Sequence, residues 1–126
     1  MKIRAFNQSF ILFLILGFSL SLLGEAHERD EHRWNKKYNS KDYLFGKHPI
    51  KFLYEHTHLL PKGRVLDIAM GEGRNGVYLA TQGFNVVGID ISEEGLKKAR
   101  HLANENNVTI ETRVADLEII KLVFPC

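Results

Sequence analysis

Four acids and three glycines fall at a spacing that can do chemistry: Asp67, Glu72, Asp90 and Asp116, set around Gly71, Gly73 and Gly76. Gly71 and Gly73 open backbone conformations closed to other residues and let the chain approach a ligand closely. They separate an apolar run, Val65 to Met70, broken only by Asp67, from a stretch starting at Arg74 in which Val77, Tyr78 and Ala80 recur before Gly83. The run suits a central parallel strand covered by helices on both faces. The stretch suits a helix with a glycine stop. A strand, a tight turn and a helix N-terminus in that order make a nucleotide-type site at the carboxyl end of the strand.

Charge separates the ligands such a site could take. Gly71, Gly73 and Gly76 read as G-x-G-x-x-G, and Asp90 follows about 20 residues on, as in a dinucleotide fingerprint. A pyrophosphate, however, would meet Asp67 at the strand end and Glu72 inside the turn. At ~4 Å and an effective dielectric of ~20, each like-charge contact would cost up to ~4 kcal/mol. An ammonium and a sulfonium in the same place turn repulsion into attraction, and S-adenosylmethionine carries both. These residues also carry a family resemblance. Asp67-x-Ala69-x-Gly71-x-Gly73 resembles motif I of the class I S-adenosylmethionine-dependent methyltransferases, and Gly71-Glu72-Gly73-Arg74-Asn75 is similar to their tellurite-resistance and thiopurine branch. Gly88-Ile89-Asp90, Ala115-Asp116, and Trp34 with Tyr38-x(4)-Tyr43-Leu44-Phe45-Gly46 follow the same order. Ala69 stands where the wider superfamily often has glycine, which is tolerable if its φ stays below zero.

The resemblance implies a cofactor site built from Asp67, Ala69, Gly71, Glu72, Gly73, Asp90, Ile91, Asp116 and Leu117. In it Asp67 and Glu72 hold the methionine end, Asp90 the ribose hydroxyls, Asp116 the adenine amino group, and Leu117 lies against the ring. It implies methyl transfer to a small acceptor, a thiol or a chalcogen oxyanion in the resembling branch. No nucleophile or general base of the protein is required, because the cofactor carries the reactivity.

The elements that must position these residues form an α/β, Rossmann-like doubly wound parallel sheet in strand order 3-2-1. Phe84 to Asp90 reads as the second buried strand. Ser92 is a good N-cap for a helix from Glu93 to Asn104, with Glu93 and Glu94 in its first turn, which leaves Asp90 free for ligand. That helix buries Leu96, Ala99, Leu102 and Ala103 and turns Lys97, Lys98 and Arg100 to water. Val108, Ile110, Thr112 and Val114 then alternate with polar residues, as in a half-exposed edge strand. Upstream, Pro49 starts a short helix carrying Ile50, Leu53, Tyr54 and Thr57. His27 to Lys41 is charged and loop-like, although Trp34 and Tyr38 lie four apart, as on one helix face. His56 and His58 point two ways on a helix and make a poor metal clamp, so no metal is expected.

Residues 10–23 are apolar after Lys2 and Arg4 and before Gly24 and Ala26, the layout of a signal peptide or membrane anchor over residues 1–26. Such a leader suggests export or membrane attachment, whereas the cofactor is made and kept on the cytosolic side. The rest divides into an N-terminal cap, 27–63, and a partial S-adenosylmethionine-binding domain, 64–126. The net charge of +2 is small and its basic residues are interleaved with acids, so no nucleic-acid partner is implied. Cys126 is the single cysteine and cannot form an internal disulfide. A complete class I sheet has seven strands, so the chain reads as truncated or as half of a split enzyme that needs a complementary C-terminal half. An NAD(P)-binding Rossmann fragment and a non-catalytic remnant are the alternatives.

Overall fold

The computed structural model describes Glu25 and residues 28–117. The expected leader's apolar run lies outside the described residues. Among the described residues no helix is long and apolar enough to cross a membrane.

Three parallel strands, β1 (Arg64–Ile68), β2 (Asn85–Asp90) and β3 (Glu111–Val114), form one sheet with β2 in the middle. This is the expected order 3-2-1. Register places Asp67 opposite Gly88 and Asp90 opposite Val114, so the three strands end at one edge. The crossovers are α3 (Arg74–Thr81) and α4 (Glu93–Glu105). They share one core on one face of the sheet: Leu79, Phe84, Val86, Leu96 and Ala99 pack around Met70, with Val77, Leu102 and Ala103 beside them. Leu96 and Ala99 are fully buried; truncating such a leucine to alanine typically costs ~2–5 kcal/mol.

The other face differs from the expectation of a strand covered on both sides. Residues of β1 alternate exposed and half-buried, and Leu66 and Ile68 are each 56% exposed. Among the described residues β1 pairs only with β2 and carries helices on one face only. Leu66 and Ile68 in the apolar run therefore mark a face that the described residues leave open.

Other departures have local causes. Residues 28–38 are helical, here α1, where a loop was expected. The helix is held by tertiary contacts: Tyr38 is buried, and Asn35 Oδ1 accepts from Ser92 Oγ at 2.6 Å and from Glu94 N at 3.2 Å. Its many charges mask that docking in the sequence. The helix after Pro49, α2 (Lys51–His56), continues as a 3-10 turn (Thr57–Leu59). β2 begins at Asn85 because the amide of Phe84 donates to Leu79 O and closes the end of α3. β3 is shorter than its alternating pattern: Asn107 adopts φ 56°, Val108 N returns to Ala103 O, and the chain straightens only at Glu111. The N-cap reading holds, since Ser92 Oγ accepts from Gly95 N at 3.1 Å.

Candidate functional site

At the carboxyl edge the main chain ties the strand exits together. Met70 N donates to Ile89 O and Ala115 N to Asp90 O, both at 2.9 Å. A cavity of about 460 Å³ opens there, between the turn 67–75, Asp90 with Ile91, and Ala115 to Leu117. That size suits a small-molecule or cofactor site. Asp67, Ala69, Gly71, Glu72, Gly73, Asp90, Ile91, Asp116 and Leu117 all line it, so the residues singled out in the sequence converge. The opposite wall comes from α1 through Asp30, Trp34 and Tyr38, and from the segment after it through Phe45 and Gly46.

The turn is left-handed at three places: φ is 55° at Ala69, 54° at Gly71 and 85° at Gly73. The condition set for Ala69, a negative φ, is not met. A residue with a Cβ pays ~1–2 kcal/mol in that region, and here the strain sits in the wall of the cavity, where functional sites commonly store it. Gly71 and Gly73 are required by packing as well. A Cβ on Gly71 would lie 2.7 Å from the Tyr38 hydroxyl oxygen, and one on Gly73 2.6 Å from Ala99 Cβ.

The acids are less alike than their spacing suggests. Asp90 is 6% exposed; its Oδ2 accepts from Gly71 N at 2.7 Å and its Oδ1 from Ser92 N at 2.8 Å. It is therefore a bracket joining the glycine turn to the start of α4. The expectation that Ser92 leaves it free is corrected, because a carboxylate at a strand end finds two nearby orphan amides before any ligand does. Glu72 is turned away from the expected role more completely. Its Oε1 accepts from Leu44 N at 3.1 Å and pairs with Lys98 Nζ at 2.5 Å, and its Oε2 accepts from Phe45 N at 3.4 Å. A charge so neutralised is a poor partner for a ligand ammonium. Lys98 is likewise not on the wet face of α4: its side chain is 15% exposed. Lys97 does lie there, paired with Glu94. Arg100 is partly covered and donates to Thr112 and Glu93.

Asp67 borders the cavity with its Oδ2 buried, and among the described residues that oxygen has no hydrogen bond of good geometry, although the Gly76 amide lies close to the carboxyl. Burial raises its pKa, the Gly76 amide lowers it again, and the charge of Asp90 adds to the rise. A carboxyl whose folded-state pKa is raised favours folding most below its ordinary value and loses that contribution as pH climbs through the raised one. Asp67→Asn is thus expected to raise the melting temperature at pH 7. The gain should shrink as pH falls towards about 4, the ordinary aspartate range. Melting curves across that range check it; equal shifts at both ends would contradict it.

Asp116 is half-buried at the end of β3 and, with Leu117, closes the cavity. Asp30 is an acid that sequence reasoning missed, because the helix that carries it reads as a loop in the sequence. Trp34 and Tyr38 stack at 5.5 Å and line the cavity. Burial, then Asp90 and Glu72, push the Tyr38 hydroxyl up to about 12. Arg74 and Asn75 tie the turn to the upstream segment: Arg74 Nη1 donates to Phe45 O at 3.2 Å, and Asn75 Oδ1 accepts from Ile50 N at 3.0 Å. Among the described residues no cluster could hold a metal ion.

A parallel sheet in this order, a glycine turn between its first strand and helix, and acids at successive strand ends define a Rossmann-like nucleotide-cofactor site. Residues 65–125 match the methyltransferase-domain family. This part of the chain is similar to methyltransferase domains, and the matches support S-adenosylmethionine as the cofactor. The chain is 35% identical over 101 residues to a tRNA (uracil(54)-C(5))-methyltransferase of Pyrococcus abyssi, covering 68% of this chain and 24% of that protein. It is 32% identical over 105 residues to the ubiquinone biosynthesis O-methyltransferase of Rickettsia akari, covering 75% and 42% respectively. A solved S-adenosylmethionine-dependent methyltransferase from Anabaena variabilis superposes with a TM-score of 0.50 at 25% identity, covering 72% of this chain and 39% of that one. The chain thus spans less than half the length of these curated relatives. The dinucleotide alternative is not favoured by these matches.

Proposed function

We infer that the chain carries the cofactor half of a methyltransferase that passes the methyl group of S-adenosylmethionine to a small, soft nucleophile, a thiol or a chalcogen oxyanion. The observation that supports the cofactor placement is the convergence of the left-handed turn with Asp67, Asp90 and Asp116 on one cavity of about 460 Å³. A carboxylate partly removed from water costs free energy that a cationic donor offsets, and the cofactor's ammonium is such a donor for Asp67. The left-handed turn at Ala69, Gly71 and Gly73 admits the methionine end close to the backbone. Asp90, already holding two amides, has lone pairs left for the ribose hydroxyls. Ile91 and Leu117 border the ring, and Asp116 takes the adenine amino group. Asp30, Trp34 and Tyr38 cover the site from the far side.

When bound, the cofactor supplies an electrophilic methyl on a sulfonium. The protein's residues align it with the acceptor and exclude water, which is where the rate gain arises in such transfers. The acceptor class rests on the resemblance of Gly71-Glu72-Gly73-Arg74-Asn75 to the tellurite-resistance and thiopurine branch, and the fold alone does not decide it. A second reading is RNA, supported by the tRNA methyltransferase among the relatives. The interleaving of acidic and basic residues speaks against it. The site works on the cytosolic side, where the cofactor is available.

Calorimetry on the full chain tests the cofactor. S-adenosylmethionine and S-adenosylhomocysteine are expected to give binding heat and NADH none; heat from NADH alone would reverse the assignment. Transfer of a radiolabelled methyl group to small thiols and to selenite or tellurite, against a tRNA transcript, tests the acceptor. Label in RNA only would replace the small-molecule reading.

A further inference from the structure

Lys98 does not line the cavity, yet it is one of the most heavily engaged side chains in the molecule. Its Nζ lies 2.5 Å from Glu72 Oε1, donates to Asp42 O at 2.6 Å, and stands 4.9 Å from the centre of the Tyr43 ring. Its carbonyl accepts from the Tyr43 hydroxyl at 3.0 Å. Glu72 in turn takes both the Leu44 and Phe45 amides. Four consecutive residues, Asp42 to Phe45, are therefore tied to one buried ion pair. The same strap supplies Phe45 and Gly46 to the cavity wall. Besides this pair, Arg74 reaches the strap through Phe45 O.

We propose that Lys98 is a positioning residue for the cofactor site: by fixing Glu72 it latches residues 42–46 as the outer wall of the cavity. The argument is electrostatic. A glutamate with 3% of its side chain exposed needs a matching cation to offset the burial of its charge. Without Lys98 the buried carboxylate is left uncompensated and is drawn towards water, which weakens its hold on the two strap amides. The wall then loosens although no residue of the cavity has changed. This proposal rests on the cofactor assignment above and extends it to a residue outside the site.

Two measurements on the full chain test it: hydrogen exchange at the Leu44 and Phe45 amides without ligand, and the S-adenosylhomocysteine dissociation constant by calorimetry. Lys98→Met is expected to speed exchange at both amides at least tenfold and to raise the dissociation constant at least tenfold. Lys98→Arg, which keeps the charge, restores both, and Lys97→Met, which breaks only the exposed pair with Glu94, changes neither. If Lys98→Met fails to fold, Lys98→Gln, which keeps donors without charge, is read in the same way. Unchanged exchange in the folded variant overturns the latch, as does faster exchange with unchanged affinity. Absence of binding to the unmodified chain overturns the cofactor role, while amide exchange still decides whether Lys98 holds the strap.

Discussion

Asp90→Ala is expected to destabilise the folded protein by ~2–6 kcal/mol, because it strands two buried amides at ~1–3 kcal/mol each. Those amides belong to Gly71 in the turn and Ser92 at the start of α4. The loss would be a large fraction of the stability of a small domain, typically ~5–15 kcal/mol. Urea unfolding gives the measure. A ribose contact alone predicts weaker cofactor binding with unchanged stability; a bracket predicts that both fall together. Asp90→Asn is expected to fare little better, since an amide offers one oxygen where two N–H groups need an acceptor. A variant with wild-type stability and reduced affinity would restore Asp90 to a role in ligand binding only.

This dual use marks the limit of what could be read from the chain. The strand order, the glycine turn, the N-cap at Ser92 and the convergence of nine residues on one cavity were all legible. Each depends on local periodicity or on residues at the ends of successive strands, and topology then places them at one edge. The partners of the acids were not legible. Glu72 looked like a ligand for an ammonium because its nearest sequence neighbours are glycines, yet its cation, Lys98, lies one crossover away and its amide donors, Leu44 and Phe45, lie 28 and 27 residues upstream. Long-range pairing of this kind leaves no periodic signal. For the same reason α1 was missed as a helix: its formation follows from the seating of Tyr38 and Asn35 on other elements more than from its own charged sequence. Electrostatic selection of a cationic ligand consequently rests on fewer acids than the sequence suggests, chiefly Asp67 and Asp116, with Asp30 on the far wall of the same cavity.

Tyr38→Ala is expected to open the site by releasing α1. The ring is 6% exposed, lies against the positions where Gly71 and Gly95 lack a Cβ, and stacks on Trp34 with an interplanar angle of 22°. Truncating a buried aromatic ring typically costs ~3–5 kcal/mol. Here the cost should fall on the docking of α1 before the sheet core, because the core around Leu96 and Val86 is separate from Tyr38. Hydrogen exchange over residues 28–38 should therefore speed up far more than exchange in β2, and S-adenosylhomocysteine affinity should drop at least tenfold. Uniform acceleration throughout the protein would mean that α1 is part of a single cooperative unit. Tyr38→Phe isolates the hydroxyl. It keeps the packing and removes a phenol held neutral up to about 12 by burial and by Asp90 and Glu72. A phenol whose pKa is raised on folding loses its contribution as pH rises from its ordinary value near 10 through the raised one. The unmodified protein should lose stability over that window and Tyr38→Phe should lose less. Parallel alkaline melting curves for the two would show that the hydroxyl is solvated and that the ring alone holds the lid in place.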